Sequence, residues 1–170
     1  MIRRRVIAVP ALATLALWFV MFRMATRQLM PGDLILPETR VFGYDRAEID
    51  RYLAGLEPTA VGTYLGPFQT LDTIFPALLA LTLALGLLRA GRRWRWQLRL
   101  LLLLAPIGYG VADYGENALI AELLRGWPEP AVPEVARLAN AFTQAKFVLL
   151  GGTLAIWLAL GLTGHDKDED

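Results

Sequence analysis

The chain has 170 residues, 55% of them hydrophobic, and a formal net charge of only +1. Together with a mean hydropathy of +0.42, this composition argues against a water-soluble domain and predicts an integral membrane protein. Cysteine and serine are absent and the single histidine is His165, which argues against disulfides, serine–histidine triads, histidine-bound haem and the usual zinc sites. We therefore predict no metal site and no cofactor; a bound lipid is compatible with this composition.

The first hydrophobic segment, VIAVPALATLALWFVMF, follows three arginines at positions 3–5. It is just long enough to span a bilayer, which takes about 20 apolar residues. Its apolar run exceeds the ~7–15 residues of a signal-peptide core, and no small-x-small cleavage site follows. We predict a retained span over residues 6–23 rather than a cleaved signal.

Three further hydrophobic segments predict spans at about 68–88, 100–123 and 133–162. The predicted fold is all-α: a four-transmembrane-helix bundle that forms a single membrane domain over residues 1–170. The connector 89–99, RAGRRWRWQLR, holds five arginines and no acid. Because basic loops stay on the cytoplasmic side, we predict that the connector and both termini, including the acidic tail 164–170, are cytoplasmic. The predicted location is the bacterial inner membrane.

The outward-facing segment 31–66 contains signals for short helices. Asp45 with Glu48 three residues later is a capping-box pattern. An amphipathic helix then ends between Gly55 and Pro58, and a second short helix, PTAVGTYLG, leads into the second span. The apolar face of the first short helix comprises Ala47, Ile49, Tyr52, Leu53 and Leu56. We interpret the segment as a cap on the outer ends of the bundle; the alternative is a docking site for a soluble partner.

Ionisable residues interrupt three of the predicted spans. The stretch GYGVADYGENAL places Asp113 and Glu116 inside the third span. Counted from the cytoplasmic helix ends at 1.5 Å per residue, these acids, Asp72 of the second span and Lys146 of the fourth all lie at roughly 21–25 Å. Arg23 of the first span comes close to this depth and either joins the layer or extends outward.

Helical spacing places the polar side chains of each span on one face. Glu116 and Asn117 follow Asp113 by three and four residues, so all three share one helix face. An isolated charge in a span costs about 2.5–3.5 kcal/mol, so we expect the acids to face inward, with Asp72, Asp113 or Glu116 paired to Lys146. The predicted polar layer comprises Arg23, Asp72, Tyr109, Asp113, Glu116, Asn117, Asn140, Thr143 and Lys146.

Two roles for this layer follow from its chemistry. Buried polar groups can hold transmembrane helices together and fix their register. Alternatively, the layer lines an outward-opening cavity in which a carboxylate acts as acid, base or proton carrier while Lys146 or Arg23 binds an anion. The residues alone do not choose between the two.

Three motifs carry a resemblance to other proteins. YLGPFQTLDTIFP in the second span, DYGEN in the third and TQAK in the fourth resemble a loosely defined group of small, uncharacterised bacterial four-helix membrane proteins. The resemblance covers about residues 44–150. It implies a four-span bundle and no particular activity. The polar layer that it implies consists of Asp72, Asp113, Glu116, Asn117, Thr143 and Lys146.

The small size and the missing catalytic residue types favour a non-enzymatic accessory or assembly subunit that packs against other membrane proteins. The alternative is a small membrane enzyme or carrier that acts on a lipid-like or amphiphilic anion. In that case Asp113 and Glu116 are the candidate acid/base groups and Lys146 is the anion or counter-ion site. The sequence contains no nucleic-acid-binding motif, so the expected partners are the bilayer and other membrane proteins.

Overall fold

A computed structural model describes residues 4–165, with side chains from residue 5 to residue 160. The described part of the chain is all-helical and contains no strand, as the four predicted spans implied. The side chains of the predicted acidic tail 164–170 and of Arg3 lie outside the described ones. The α-helices are α1 Arg4–Met24, α2 Arg46–Ala54, α3 Pro58–Thr63, α4 Gln69–Ala90, α5 Trp96–Leu101, α6 Leu104–Arg125 and α7 Pro133–His165.

Four helical stretches within these residues are long and apolar enough to cross a membrane. They run over Arg5–Leu29, Pro58–Arg93, Trp96–Arg125 and Pro133–Leu160. The second begins ten residues before the predicted boundary at 68, because α3, a π-helical turn at Tyr64–Phe68 and α4 follow one another directly. Asp72 therefore lies roughly 21 Å along this stretch rather than near its end. The four stretches indicate a multi-pass membrane protein.

The third span is not the single helix over 100–123 that the sequence predicted. Helix α5 begins at Trp96, inside the predicted connector 89–99, and a turn separates it from α6. Pro106 explains the break, because it has no N–H to donate to the carbonyl of Leu102, four residues earlier. The N–H of Leu103 bonds instead to the Leu100 carbonyl at 3.0 Å.

Helix α4 lies at the centre of the bundle, where it packs against α1, α6 and α7. Helices α6 and α7 pack along each other most closely of all. A Cβ atom added at Gly115 of α6 would lie 2.8 Å from the ring of Phe142 on α7, so this approach depends on the glycine. In contrast, α1 rests on α4 and makes almost no contact with α7. This leaves a gap between α1 and α7.

The segment between α1 and α3 contains the capping box that the sequence predicted. Asp45 accepts a hydrogen bond from the Glu48 N–H at 2.8 Å, and the Glu48 carboxylate accepts one from the Asp45 N–H at 2.9 Å. Ile49 and Leu53 are buried, but Ala47 is exposed, contrary to the predicted apolar face. Ala47 precedes Ile49 by two residues, which places it on the opposite side of α2.

Residues 30–57 pack against the ends of α6 and α7. The indole N–H of Trp127 donates to the Leu53 carbonyl at 3.0 Å, and the Asp50 carboxylate accepts from the Ala131 N–H at 2.8 Å. A hydrophobic core joins this segment to the helices, with members that include Leu29, Leu36, Tyr52, Leu56, Tyr64, Phe68, Ile120, Leu124 and Ala139. The predicted polar layer adjoins this core along α6 and α7, at residues 113–117 and 143–146.

Candidate functional site

The centre of the polar layer is a buried ion-pair cluster around Lys146. Its Nζ atom lies 2.9 Å from Asp113 Oδ1 and also forms an ion pair with Glu116 Oε2. The side chains of Lys146, Asp113 and Glu116 are only 10%, 4% and 0% exposed. Because the two acids are three residues apart, one face of α6 presents both to α7. Two of the three acids proposed as partners of Lys146 therefore bind it at once.

Neutral polar groups of the predicted layer hold the helices around this cluster. The Thr143 hydroxyl, three residues before Lys146 on α7, donates to Glu116 Oε1. The Asn117 side-chain amide donates to the backbone carbonyl of Asp72 at 3.2 Å. That carbonyl lacks its helical partner because Pro76, four residues later, has no N–H. Asn117 therefore links α6 to α4 at the point where Pro76 interrupts the backbone hydrogen bonds of α4.

The Asp72 carboxyl group differs from the other two acids because no described residue pairs with it. Its residue is 7% exposed, and its carboxylate forms no hydrogen bond or ion pair with the described residues. Asp113 binds Lys146 through Oδ1, whereas Asp113 Oδ2 is buried without a hydrogen-bond partner in the described part of the chain. Tyr109, which is 3% exposed, lies next to these acids on α6. The site therefore contains carboxylate oxygens, on Asp72 and Asp113, that accept no hydrogen bond from the described residues.

Two residues of the predicted layer lie away from the cluster. Arg23 is exposed on α1, which matches the alternative in which its side chain extends outward. Asn140 accepts a hydrogen bond from the Tyr44 N–H at 2.9 Å and so anchors the segment before α2. The neighbouring Gly43 has a φ of +83°, and a Cβ there would collide with Asn140 and Gln144. Asn140 thus serves the packing of this segment onto α7.

A fourth acid, Glu38, is also part of the site and was missed by the sequence analysis. It lies on the short helical turn Pro37–Thr39, is 9% exposed and accepts a hydrogen bond from the Tyr64 hydroxyl at 2.7 Å. Burial, followed by the nearby charges of Asp72 and Glu116, raises the pKa of Glu38 well above its ordinary value of 4.5. The only sequence signal was a single acid between two apolar stretches, LIL and VF, which has no helical period.

The cluster borders a cavity of about 570 Å³ between α1, α4, α7 and the segment that follows α1. Its polar end is formed by Glu38, Asp72, Tyr109, Asp113 and Lys146. Trp18 and Phe22 of α1 line it while remaining 48% and 47% exposed, so the cavity opens sideways where α1 and α7 diverge. This volume lies within the ~300–1,000 Å³ of small-molecule sites. The remaining wall is mostly apolar, with Met21, Ala25, Met30, Leu36, Phe68, Phe75, Leu79, Phe147 and Leu150.

Fold and site together define the class: a multi-pass, all-helical membrane protein in which a buried charged cluster borders a lateral cavity. Comparison of the chain with protein-family models, with curated proteins and with solved structures gives no significant match. The resemblance drawn from the sequence motifs therefore remains a prediction, and the function must be argued from the geometry of the site.

Proposed function

We propose that this protein binds a lipid-like amphiphile in the lateral cavity, as a small carrier or enzyme. In this proposal the polar head lies at Asp72 and Asp113, and the hydrocarbon chain lies along the apolar wall toward α1. The observation that supports it is the combination of an apolar cavity of about 570 Å³ with buried acceptor groups that have no partner in the described protein. Buried polar groups are normally hydrogen-bonded, so such acceptors suggest a ligand.

The same observation ranks this function above the accessory subunit favoured by the sequence. A polar layer that served only to hold helices together would be expected to be closed and internally paired. Lipid in the bilayer is sufficient to cover the exposed apolar side chains of α1, such as Val9, Leu12 and Leu15.

If the protein transforms its ligand, Asp72 is better placed than Glu116 to exchange a proton with it. Glu116 is fully buried; its Oε2 forms an ion pair with Lys146 and its Oε1 accepts a hydrogen bond from Thr143, so both oxygens are engaged within the protein. Asp72 lines the cavity and has no such partner. A general acid or base must reach the proton that it transfers. The acid/base candidates predicted as Asp113 and Glu116 are therefore proposed here as Asp72 and Asp113.

We also propose the predicted orientation, with both termini in the bacterial cytoplasm. Of the predicted cap 31–66, residues 31–57 then lie on the outer side, because the second span begins at Pro58. The support for this orientation is the arginine-rich connector, in which Arg92 and Arg95 are exposed. The cavity then opens into the outer leaflet. Because the chain has no cysteine, Asp33→Cys and Gln97→Cys can each be probed in whole cells with a membrane-impermeant maleimide. We expect labelling of the Asp33→Cys protein alone. Labelling of the Gln97→Cys protein alone would show that the orientation is the reverse of the one proposed.

Binding can be tested by mass spectrometry of lipids that copurify in mild detergent. Leu79 lines the cavity, whereas Leu81 on the same helix is 48% exposed on the outside. We expect the wild type and Leu81→Trp to retain a defined amphiphile and Leu79→Trp to lose it. Equal lipid content in all three proteins would contradict binding in the cavity.

A further inference from the structure

We propose that the head group bound in this cavity is cationic, a protonated amine on an apolar chain, rather than the anion suggested by a buried lysine. This inference rests on the proposed function, because it specifies the ligand of the same site. Three features of the site support it: the pairing of Lys146, the balance of charge, and the aromatic wall.

The positive charge of Lys146 is already used within the protein. Its ammonium lies 2.9 Å from Asp113 Oδ1 and is also paired with Glu116 Oε2. An anionic head that approached Lys146 would enter a site where both nearest charged neighbours are carboxylates. Like charges at such short range repel strongly in a medium of low dielectric constant. Lys146 is therefore a poor anchor for an anion.

The charge balance of the site is acidic. Four carboxyl groups, those of Glu38, Asp72, Asp113 and Glu116, share one ammonium group. Buried charges without compensation are costly, so the excess acids must be neutralised by protons or by an added cation. A cationic ligand supplies that compensation, whereas an anionic ligand increases the imbalance.

The acceptors without partners lie where a cationic head would meet them. Asp72 and Asp113 are 7% and 3% exposed and line the cavity, and Asp113 Oδ2 is buried without a hydrogen-bond partner in the described part of the chain. An ionised carboxylate only accepts hydrogen bonds, and an ammonium N–H is a strong, charge-assisted donor to it. The two chemistries are complementary without any rearrangement of Lys146.

The remaining wall also suits an organic cation. Aromatic rings attract an ammonium group placed over their faces. Lys146 Nζ already lies 5.6 Å from the centre of the Phe147 ring. Within the described residues, no group of three histidine, cysteine or acidic side chains converges in a way that could hold a metal ion, which favours an organic cation over a metal. The aromatic residues that line the cavity are Trp18, Phe22, Phe68, Phe75, Tyr109 and Phe147.

The test compares three amphiphiles with the same chain and different heads: dodecylammonium, dodecyl phosphate and dodecanol. Binding is measured by native mass spectrometry of the full chain in a sugar-headed detergent. We expect the ammonium to bind most tightly. Asp72→Asn should weaken its binding by about 10- to 100-fold, which corresponds to the loss of one hydrogen bond to a charged group. The exposed Asp33→Asn is the matched control and should bind as the wild type does.

The outcomes separate this inference from the proposed function. If dodecyl phosphate or dodecanol binds as tightly as the ammonium, or if Asp72→Asn leaves ammonium binding unchanged, the head is not a cation although the cavity still binds a chain. If the wild type binds none of the three, the proposed function fails and this inference fails with it. Glu38→Gln keeps an acceptor for Tyr64 and gives a second variant; it should also weaken ammonium binding.

Discussion

The most informative single change is Lys146→Met, because it removes the only ammonium from the buried cluster and replaces it with an unbranched apolar side chain one atom shorter. The variant leaves Asp113 Oδ1 and Glu116 Oε2 without the partner that each has in the wild type. Both acids are at most 4% exposed, so bulk water solvates the stranded carboxylates poorly. We therefore expect a large loss of stability.

The magnitude follows from the burial of the pair. Breaking a buried ion pair by removing one partner costs about 3–5 kcal/mol. For a chain of this length each kcal/mol shifts Tm by about 2–4 °C, so we expect a decrease of roughly 6–20 °C. Adding Glu116→Gln should recover part of the loss, because it removes one of the stranded charges; coupling energies between contacting residues are about 0.5–3 kcal/mol.

Thermal unfolding in mild detergent measures this effect. Arg137→Met is the matched control, because Arg137 is an exposed cation on the same helix and its loss should change Tm little. A Lys146→Met protein that melts within about 2 °C of the Arg137→Met protein, a difference worth no more than ~1 kcal/mol, would refute the reasoning. It would mean that the ion pairs do not hold α6 and α7 together.

Three further predictions concern packing, backbone satisfaction and pH. Gly115→Ala should destabilise the protein by about 1–3 kcal/mol, because the added Cβ overpacks against Phe142. Gly151→Ala should leave the stability unchanged, because a Cβ there meets nothing within 4 Å. Equal Tm values for the two variants would contradict this. Asn117→Ala should lower the free energy of unfolding by about 0.6–2 kcal/mol. The loss should be smaller in a Pro76→Ala background, because the helical N–H to the Asp72 carbonyl is restored there. A double-mutant cycle without coupling would contradict this. Because the folded-state pKa of Glu38 is raised above 4.5, its contribution to stability is fully present below 4.5 and is lost as pH rises through the higher folded value. Glu38→Gln should therefore flatten the fall of Tm above pH 4.5, and an unchanged slope would refute this.

The parts of the site that follow local rules could be predicted from the sequence. Spacing of three residues puts Asp113 and Glu116 on one helix face, and a constant rise per residue brings Lys146 to the same depth. The same local geometry leaves the Asp72 carbonyl without a helical partner, because Pro76, four residues later, has no N–H. These inferences need only the geometry of one helix at a time.

The remaining parts depend on how helices pack against each other. Glu38 lies on a turn without periodicity, and its burial is set by Tyr64, 26 residues later. The cavity exists because α1 leans on α4 and diverges from α7, which no hydrophobic pattern records. The lack of a partner for Asp72 is likewise a tertiary property, because its spacing did not distinguish it from the acids of α6.

The most direct test of the central claim is photolabelling of the wild type with an amphiphile that carries an ammonium head and a diazirine in its chain. Peptide mapping should place adducts on cavity residues such as Met21, Phe75 and Leu79, and an excess of dodecylammonium should abolish them. Labelling of the exposed outer side chains Val9 and Leu12 should persist, because it reports contact with bulk amphiphile. If adducts occur only on the outer side chains, or if competition leaves the cavity adducts unchanged, the cavity is not a binding site for this ligand.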